Sequence, residues 1–148
     1  YPLGVLARNA ALANLHTLRL HPGRDGKLGT ADLRTLLASP NLPALERLQA
    51  RVIEKGDEAA RVLAESPLLP RLKELDIAYG NLTDEGARIL AGAGLGHLEK
   101  LDVSMNALTR GGIKALREAE AKTVVADDQH DPEDDEATVI PHDKLQLV

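Results

Sequence analysis

Two nineteen-residue segments of the chain share the same pattern of residues. Residues 72–90 read LKELDIAYGNLTDEGARIL, and residues 98–116, 26 positions later, read LEKLDVSMNALTRGGIKAL. Leucine, aspartate, threonine and glycine recur at matching positions of the two copies. An internal period of this length indicates a repeat architecture, in which each unit buries its apolar face against its neighbours. The spacing therefore predicts a solenoid.

Each copy changes its apolar period halfway along. Leu75 and Ile77 alternate with polar residues, which is typical of a strand with one buried face. After Thr83 the small and apolar residues recur at helical spacing, and two carboxylates follow the threonine, as is typical of a helix start. Each copy is therefore predicted to be one strand followed by one helix.

The second copy carries a known pattern, Leu98-x-x-Leu101-x-Val103-x-x-Asn106-x-Leu108. This pattern resembles the leucine-rich repeat consensus, L-x-x-L-x-L-x-x-N-x-L. The continuation LTDEGARIL looks like the long, helix-bearing subclass typified by ribonuclease inhibitor. The first copy departs from the consensus, with Gly80 at the asparagine position and Asn81 one residue later. The resemblance implies an α/β leucine-rich repeat solenoid of about four repeats, a right-handed βα superhelix with a parallel sheet inside and helices outside.

The pattern extends beyond the two clear copies. Further copies begin at Leu15 and Leu45, and residues 3–14 read as the helical half of a repeat whose strand is missing. Because solenoid ends normally need a polar cap, we expect the chain to be part of a longer one or to dock on another chain; a short helical cap is the alternative. Residues 124–126 are predicted as a last edge strand. The predicted repeat domain spans residues 1–126, and an acidic tail spans residues 127–148.

The composition argues against several classes of function. Hydrophobic residues make up 43 % of the chain but aromatic residues only 1 %, so a core of Leu, Ile, Val and Ala is predicted. The chain has no cysteine, which excludes disulfides, thiolate nucleophiles and cysteine-bound metals. A net charge of −5 argues against nucleic acid as the main partner, and no apolar run is long enough to span a membrane. We expect a cytoplasmic protein that uses no cofactor and binds neither nucleic acid nor membrane.

No arrangement of reactive residues in the sequence demands catalysis. The five histidines lie outside nucleophile and metalloprotease motifs. The acidic run at residues 127–136 lacks the central glycine of a calcium loop and contains Pro132, so a solvated tail is the better interpretation. Asp76 and Asp102 lie one repeat apart on the same strand face, where two carboxylates could share a proton. Exposed aspartates of a binding surface explain them better.

The outward-facing strand positions form the candidate site. Because the other face of each strand is apolar, these residues would line one open surface that runs from basic at the first strands to acidic at the later ones. Complementary charge of this kind sets partner choice and encounter rate, and Tyr79 is the one aromatic candidate for a hot spot. We predict a non-catalytic recognition module, the sensor or substrate-recognition arm of a larger protein, that binds another protein or another domain of the same protein. The predicted contact residues are Arg19, His21, Arg47, Gln49, Arg51, Glu74, Asp76, Tyr79, Lys100 and Asp102.

Two other functions stay open at this point. Some helix-bearing leucine-rich repeat proteins activate GTPases through residues on the rim, and the resemblance makes Arg24, Arg51 and Asn81 the candidates here. The second alternative is a purely structural role, as a spacer or an oligomer contact. Charges scattered over the surface, rather than gathered in one patch, would favour that structural role.

Overall fold

The computed structural model describes residues 3–22 and 26–130, and its strands form one parallel five-stranded sheet. The strands lie in the sheet in chain order: β1 (Thr17–Leu20), β2 (Arg47–Ala50), β3 (Glu74–Asp76), β4 (Lys100–Asp102) and β5 (Val124–Val125). A helix precedes β1 and one lies between each strand and the next: α1 (Leu3–Ala7), α2 (Thr30–Leu37), α3 (Gly56–Glu65), α4 (Asp84–Gly92) and α5 (Arg110–Glu118). Short 3₁₀ helices span Ala10–Asn14 and Leu69–Arg71. The predicted α/β repeat architecture is confirmed.

The strands align so that leucines of equivalent repeat positions stack. Leu75 pairs in register with Leu48 on one side and with Leu101 on the other, and all three are at most 2 % exposed. On the helical side, α4 packs between α3 and α5. The core of the described residues consists of Leu, Ile, Val and Ala without an aromatic ring, as the composition predicted. Each repeat therefore buries its apolar face against its two neighbours.

Each strand from β2 onwards leads into the same left-handed turn. Val52, Tyr79, Met105 and Asp128 lie at equivalent positions of successive repeats, with φ of 61°, 61°, 57° and 53°. The strand register gives Pro22 this position in the first repeat. Proline fixes φ near −65°, so the first repeat cannot form the turn. The connection from β1 to α2 is correspondingly longer than those that follow.

A buried asparagine closes the turn after β4. Asn106 is 1 % exposed, and its Oδ1 accepts a hydrogen bond from the backbone N–H of Leu82 in the preceding repeat. Its Nδ2 donates to the backbone carbonyls of Ile77, Val103 and Ser104. The side chain therefore joins two adjacent repeats and satisfies backbone groups that would otherwise be buried without partners.

Gln129 has the same role in the last described turn. Its Oε1 accepts from the N–H of Leu108 at 3.0 Å, and its Nε2 donates to the carbonyl of Val103 at 2.8 Å. Residues 127–130, which the sequence assigned to the acidic tail, thus follow β5 in the repeat pattern. The rest of the predicted tail, residues 131–148, lies outside the described residues.

The segment before β1 contains α1, which packs against α2. The side chain of Asn41, after α2, donates through Nδ2 to the carbonyl oxygen of Ala7 at 2.8 Å. Residues 3–14 are therefore mostly helical, as the sequence predicted. Within the described part of the chain, no helix combines the length and the apolar character needed to cross a membrane.

Candidate functional site

The strand register arranges the outward residues in three rows across the sheet. The middle row contains Arg19, Gln49, Asp76 and Asp102, from β1, β2, β3 and β4 in turn. The row toward the amino ends of the strands contains Thr17, Arg47, Glu74 and Lys100, and the row toward the carboxyl ends contains His21, Arg51, Ala78 and Ser104. We call these three rows the open sheet face. The structure therefore places nine of the ten predicted contact residues on one surface, with Tyr79 just beyond it.

Two ion pairs cross from β2 to β3 in the centre of the open sheet face. Arg47 Nε lies 2.6 Å from Glu74 Oε2. Arg51 donates to Asp76 Oδ2 from Nη2 at 2.7 Å and from Nε at 3.1 Å. The hydrogen bond to Glu74 raises the pKa of Arg47, and the hydrogen bond to Asp76 raises the pKa of Arg51. The central charges therefore neutralise one another within the protein.

The predicted change from basic to acidic is consequently limited to the middle row, which runs from Arg19 on β1 to Asp102 on β4. Arg19 on β1 is exposed, while Lys100 on β4 is exposed and Asp102 beside it is partly buried. Among the described residues, none of these three has an ion-pair partner within 4.0 Å. The Gln49 amide forms a hydrogen bond with the His21 ring. The charges left available to a partner are those at β1 and β4.

Tyr79 lies at the rim, where β3 ends. Its side chain is 49 % exposed, and the guanidinium carbon of Arg51 lies 5.1 Å from the centre of its ring, a cation–π geometry. Val52, at the equivalent position of the preceding repeat, is 36 % exposed, and Met105 holds that position in the following repeat. We call Val52, Tyr79 and Met105 the rim ridge. It combines an anchored aromatic ring with apolar neighbours, as binding hot spots do.

Asp76 and Asp102 are engaged in local hydrogen bonds. Each accepts through Oδ1 from the backbone N–H two residues later, Ala78 and Ser104 respectively, at 3.0 Å. The second oxygen of Asp76 is held by Arg51. This arrangement stabilises the ends of the strands and explains both carboxylates without acid–base chemistry.

A charge cluster at the amino ends of the strands was missed in the sequence. Glu46 Oε2 lies 2.7 Å from Lys73 Nζ, and Glu46 Oε1 lies 3.3 Å from His16 Nδ1. The hydrogen bond from Lys73 holds the pKa of Glu46 below its usual value, and the same bond raises the pKa of Lys73. The signal was available, because these three residues occupy the position just before the strand in three consecutive repeats.

The GTPase-activating candidates have structural roles where the structure describes them. Asn81 Oδ1 accepts from the N–H of Gly56 at 2.7 Å, and its Nδ2 donates to the carbonyl of Glu54 at 2.9 Å. Arg51 is held by Asp76, and Arg24 lies outside the described residues. Across residues 3–22 and 26–130, no group of three or more histidines and carboxylates is placed to hold a metal ion.

The depression in the open sheet face is shallow. Its volume is about 230 Å³, and its lining includes Arg19, Gln49, Asp76 and Asp102. Pockets for small molecules typically enclose about 300–1,000 Å³ and are mainly apolar. A small, polar and open depression suits a macromolecular surface better than a small molecule.

Comparison with known proteins finds similarity to leucine-rich repeats. A family model described as Leucine Rich repeat matches residues 70–91 and 96–116. A crystal structure of a protein from Bacteroides fragilis is similar, with a TM-score of 0.66 and 28 % sequence identity over 80 % of this chain. The chain spans 35 % of the length of that protein. Among curated proteins, none matches the sequence.

Proposed function

The chain is a leucine-rich repeat protein, and from this premise we propose that it recognises another protein through its open sheet face and rim ridge. The repeat family is typically an interaction module, which supports the general class. The finer role proposed here is that of a sensor or substrate-recognition arm, in which this module presents a bound partner to the rest of an assembly. Its ribonuclease-inhibitor-like subclass stays a prediction.

One observation carries the proposal. Side chains from four consecutive strands form a single polar surface in register, bordered by an exposed aromatic ring. The ion pairs of Arg47 with Glu74 and of Arg51 with Asp76 hold its central side chains in place before a partner arrives. Such preorganisation reduces the entropy lost on binding, which favours recognition over a loosely polar surface.

The charge distribution favours a protein over a nucleic acid. A nucleic-acid surface needs a continuous patch of unpaired basic residues, because affinity comes mainly from phosphate contacts. The two arginines in the centre of the open sheet face are instead paired with carboxylates. A partner with both acidic and basic side chains fits this mixed surface better than a polyanion does.

Site-specific photo-crosslinking in the full chain tests the proposal. A benzophenone-bearing residue is placed at Gln49 on the open sheet face or, as a matched control, at Arg61 on the exposed surface of α3. Each variant is irradiated in a lysate of the source organism, and adducts are identified by mass spectrometry. We expect a discrete protein adduct from position 49 that is lost when Tyr79→Ala is added, and none from position 61.

The control position separates recognition from incidental contact. Circular dichroism must first show that both crosslinker variants and Tyr79→Ala retain the native helical signal. Adducts formed equally from both positions, or only from position 61, would contradict recognition by the open sheet face. Adducts from position 49 that survive Tyr79→Ala would remove the rim ridge from the proposed surface.

A further inference from the structure

The middle row of the open sheet face carries charges of opposite sign at its two ends, Arg19 and Asp102, with no net charge between them. Arg19 on β1 has no ion-pair partner among the described residues, and neither has Asp102 on β4. Between them in the same row lie the uncharged Gln49 and Asp76, whose carboxylate is held by Arg51. The middle row is therefore positive at one end, neutral in the middle and negative at the other end.

The row toward the carboxyl ends extends this polarity. Its equivalent position after β5 is Asp127, an exposed residue that neighbours Ser104 in the register. Asp127 and Asp102 place two carboxylates at the same end of the face. Lys100 lies two residues before Asp102 on the same strand, roughly 7 Å toward the amino end. Lys100 therefore lies in the row toward the amino ends of the strands, which is the row farthest from the rim ridge.

The apolar contacts lie between the two charged ends. Tyr79 follows β3, and Val52 follows β2, so both project at the rim between β1 and β4. One side of the Tyr79 ring is covered by Arg51, which holds the ring in position. Together with Val5 in α1, these are the exposed large hydrophobic side chains of the described residues. Val52 and Tyr79 lie three residues beyond Gln49 and Asp76 of the middle row, so a ligand that meets both charged ends can direct an apolar side chain toward them.

The dimensions define how long that ligand must be. Three strand spacings of about 4.8 Å separate β1 from β4, which gives roughly 14 Å. An extended peptide advances about 3.3 Å per residue, so about four residues bridge this distance. A short extended segment can thus reach both charges at once while it crosses the strands.

We propose that the open sheet face binds an extended protein segment with an acidic residue against Arg19, a basic residue about four positions away against Asp102, and an apolar side chain between them on Val52 and Tyr79. This inference rests on the proposed function and adds the chemistry of the partner. Opposite charges at the two ends fix the direction in which the segment lies. A segment with the reversed charge order binds in the opposite chain direction.

Selection from a linear twelve-residue random peptide library, displayed on phage, tests this chemistry on the full chain. We expect the wild-type protein to enrich peptides with one acid and one base about four residues apart and an apolar residue between them. Because a segment can also bind in the opposite chain direction, each test variant gives both ends the same charge: Asp102→Lys makes both ends basic and should enrich peptides with an acid at both positions. The matched control Arg61→Glu/Glu65→Lys reverses two exposed charges on α3 and should leave the enriched motif unchanged.

A substitution at the other end guards against loss of folding in Asp102→Lys, which removes the hydrogen bond from the Ser104 N–H. Arg19→Glu alone changes an exposed side chain and makes both ends acidic, so it should enrich peptides with a base at both ends. Circular dichroism and thermal melting check that each variant is folded. For one enriched peptide, we expect its Kd, measured by fluorescence anisotropy, to increase at least about tenfold with Arg19→Glu, because one charge contact becomes repulsive in either chain direction.

The outcomes distinguish this inference from the proposed function. Peptides that are lost with Tyr79→Ala but carry the same charges in every charge variant would overturn the inference and leave recognition by this face intact. Enriched peptides without paired charges would overturn it too. If no peptide depends on Tyr79, the inference fails, and the crosslinking experiment at position 49 then decides the proposed function separately.

Discussion

Asp57, in the first turn of α3, accepts hydrogen bonds from both the backbone N–H and the hydroxyl of Thr83, the residue before α4, at 2.8 and 2.5 Å. One repeat thereby caps the helix start of the next. The same arrangement recurs one repeat later, where Asp84 accepts both hydrogen bonds from Thr109. A carboxylate in the first turn also interacts favourably with the positive end of its own helix dipole. Each aspartate therefore stabilises two helix starts.

Substitution of Asp57 by alanine should reduce the free energy of unfolding by about 2 kcal/mol, because it removes two hydrogen bonds to a charged acceptor. Urea unfolding followed by circular dichroism measures this loss. Asp32→Ala is the matched control, since Asp32 is a first-turn acid of α2 without a side-chain hydrogen bond in the described structure. Asp32→Ala should lower the free energy of unfolding by less than about 1 kcal/mol. Equal losses would assign the effect to the helix dipole rather than to the contact between repeats.

Two glycines in the helical layer should respond oppositely to alanine. A Cβ at Gly56 would lie 2.5 Å from the backbone nitrogen of Leu82 and 2.7 Å from its Cα. Because the backbone of the next repeat must move, Gly56→Ala should lower the free energy of unfolding by about 3 kcal/mol. At Gly92, in α4, a Cβ meets nothing within 4 Å. Gly92→Ala should therefore raise the free energy of unfolding by about 0.5–1 kcal/mol, because alanine has the higher helix propensity.

Urea midpoints of the two alanine variants, measured side by side, test how closely the repeats approach. A loss at both positions would mean that glycine is needed for its backbone freedom and not for space. A gain at both would mean that α3 and the following turn are farther apart than the structure has them.

The repeat fold could be predicted because its determinants are local and periodic. Leu75 and Leu101 recur at one spacing, and burial of one strand face requires nothing beyond that alternation. The final repeat was harder to recognise. Its asparagine position is filled by Gln129, 23 residues after Asn106, so neither the residue nor the spacing matches the earlier copies. The longer side chain reaches the same backbone groups, which only the folded register reveals.

The charge pattern of the candidate site could be predicted residue by residue but not as a surface. The sequence places Arg51 and Asp76 on the same face, yet not in contact, because they occupy different rows of neighbouring strands. The long Arg51 side chain reaches Asp76 diagonally, and the ion pair neutralises two charges that the sequence suggested were available to a partner. The exposure of Val52 was also hidden, since a β-branched residue gives no local signal for a left-handed turn.

Val52 is held in this strained conformation by its neighbours. With φ of 61°, its backbone accepts from Leu28 at 2.8 Å and donates to Ala78 at 3.4 Å. A β-branched residue pays roughly 1–2 kcal/mol for left-handed geometry, whereas asparagine tolerates it. Val52→Asn should therefore raise the free energy of unfolding by about 1 kcal/mol, measured by urea unfolding. The same change at Val5, an exposed residue within α1, should give no gain. A comparable gain there would mean that replacing any exposed valine by asparagine stabilises the protein, whatever its backbone conformation.

The ion pair of Glu46 with Lys73 should make stability depend on acid pH. The pKa of Glu46 in the folded protein lies below its ordinary value of 4.5, chiefly because of the hydrogen bond from Lys73. A carboxylate with a lowered folded-state pKa contributes stability above its unfolded value, and this contribution is lost as the pH falls through the folded value. Glu46→Gln should therefore lower the urea midpoint at about pH 7 and have progressively less effect toward about pH 3.

Glu99, at the equivalent position before β4, provides the control, because it has no ion pair within 4.0 Å among the described residues. Glu99→Gln should leave the urea midpoint nearly unchanged at both pH values. A difference for Glu46→Gln that stays constant across this range would assign the loss to packing of the side chain rather than to its charge.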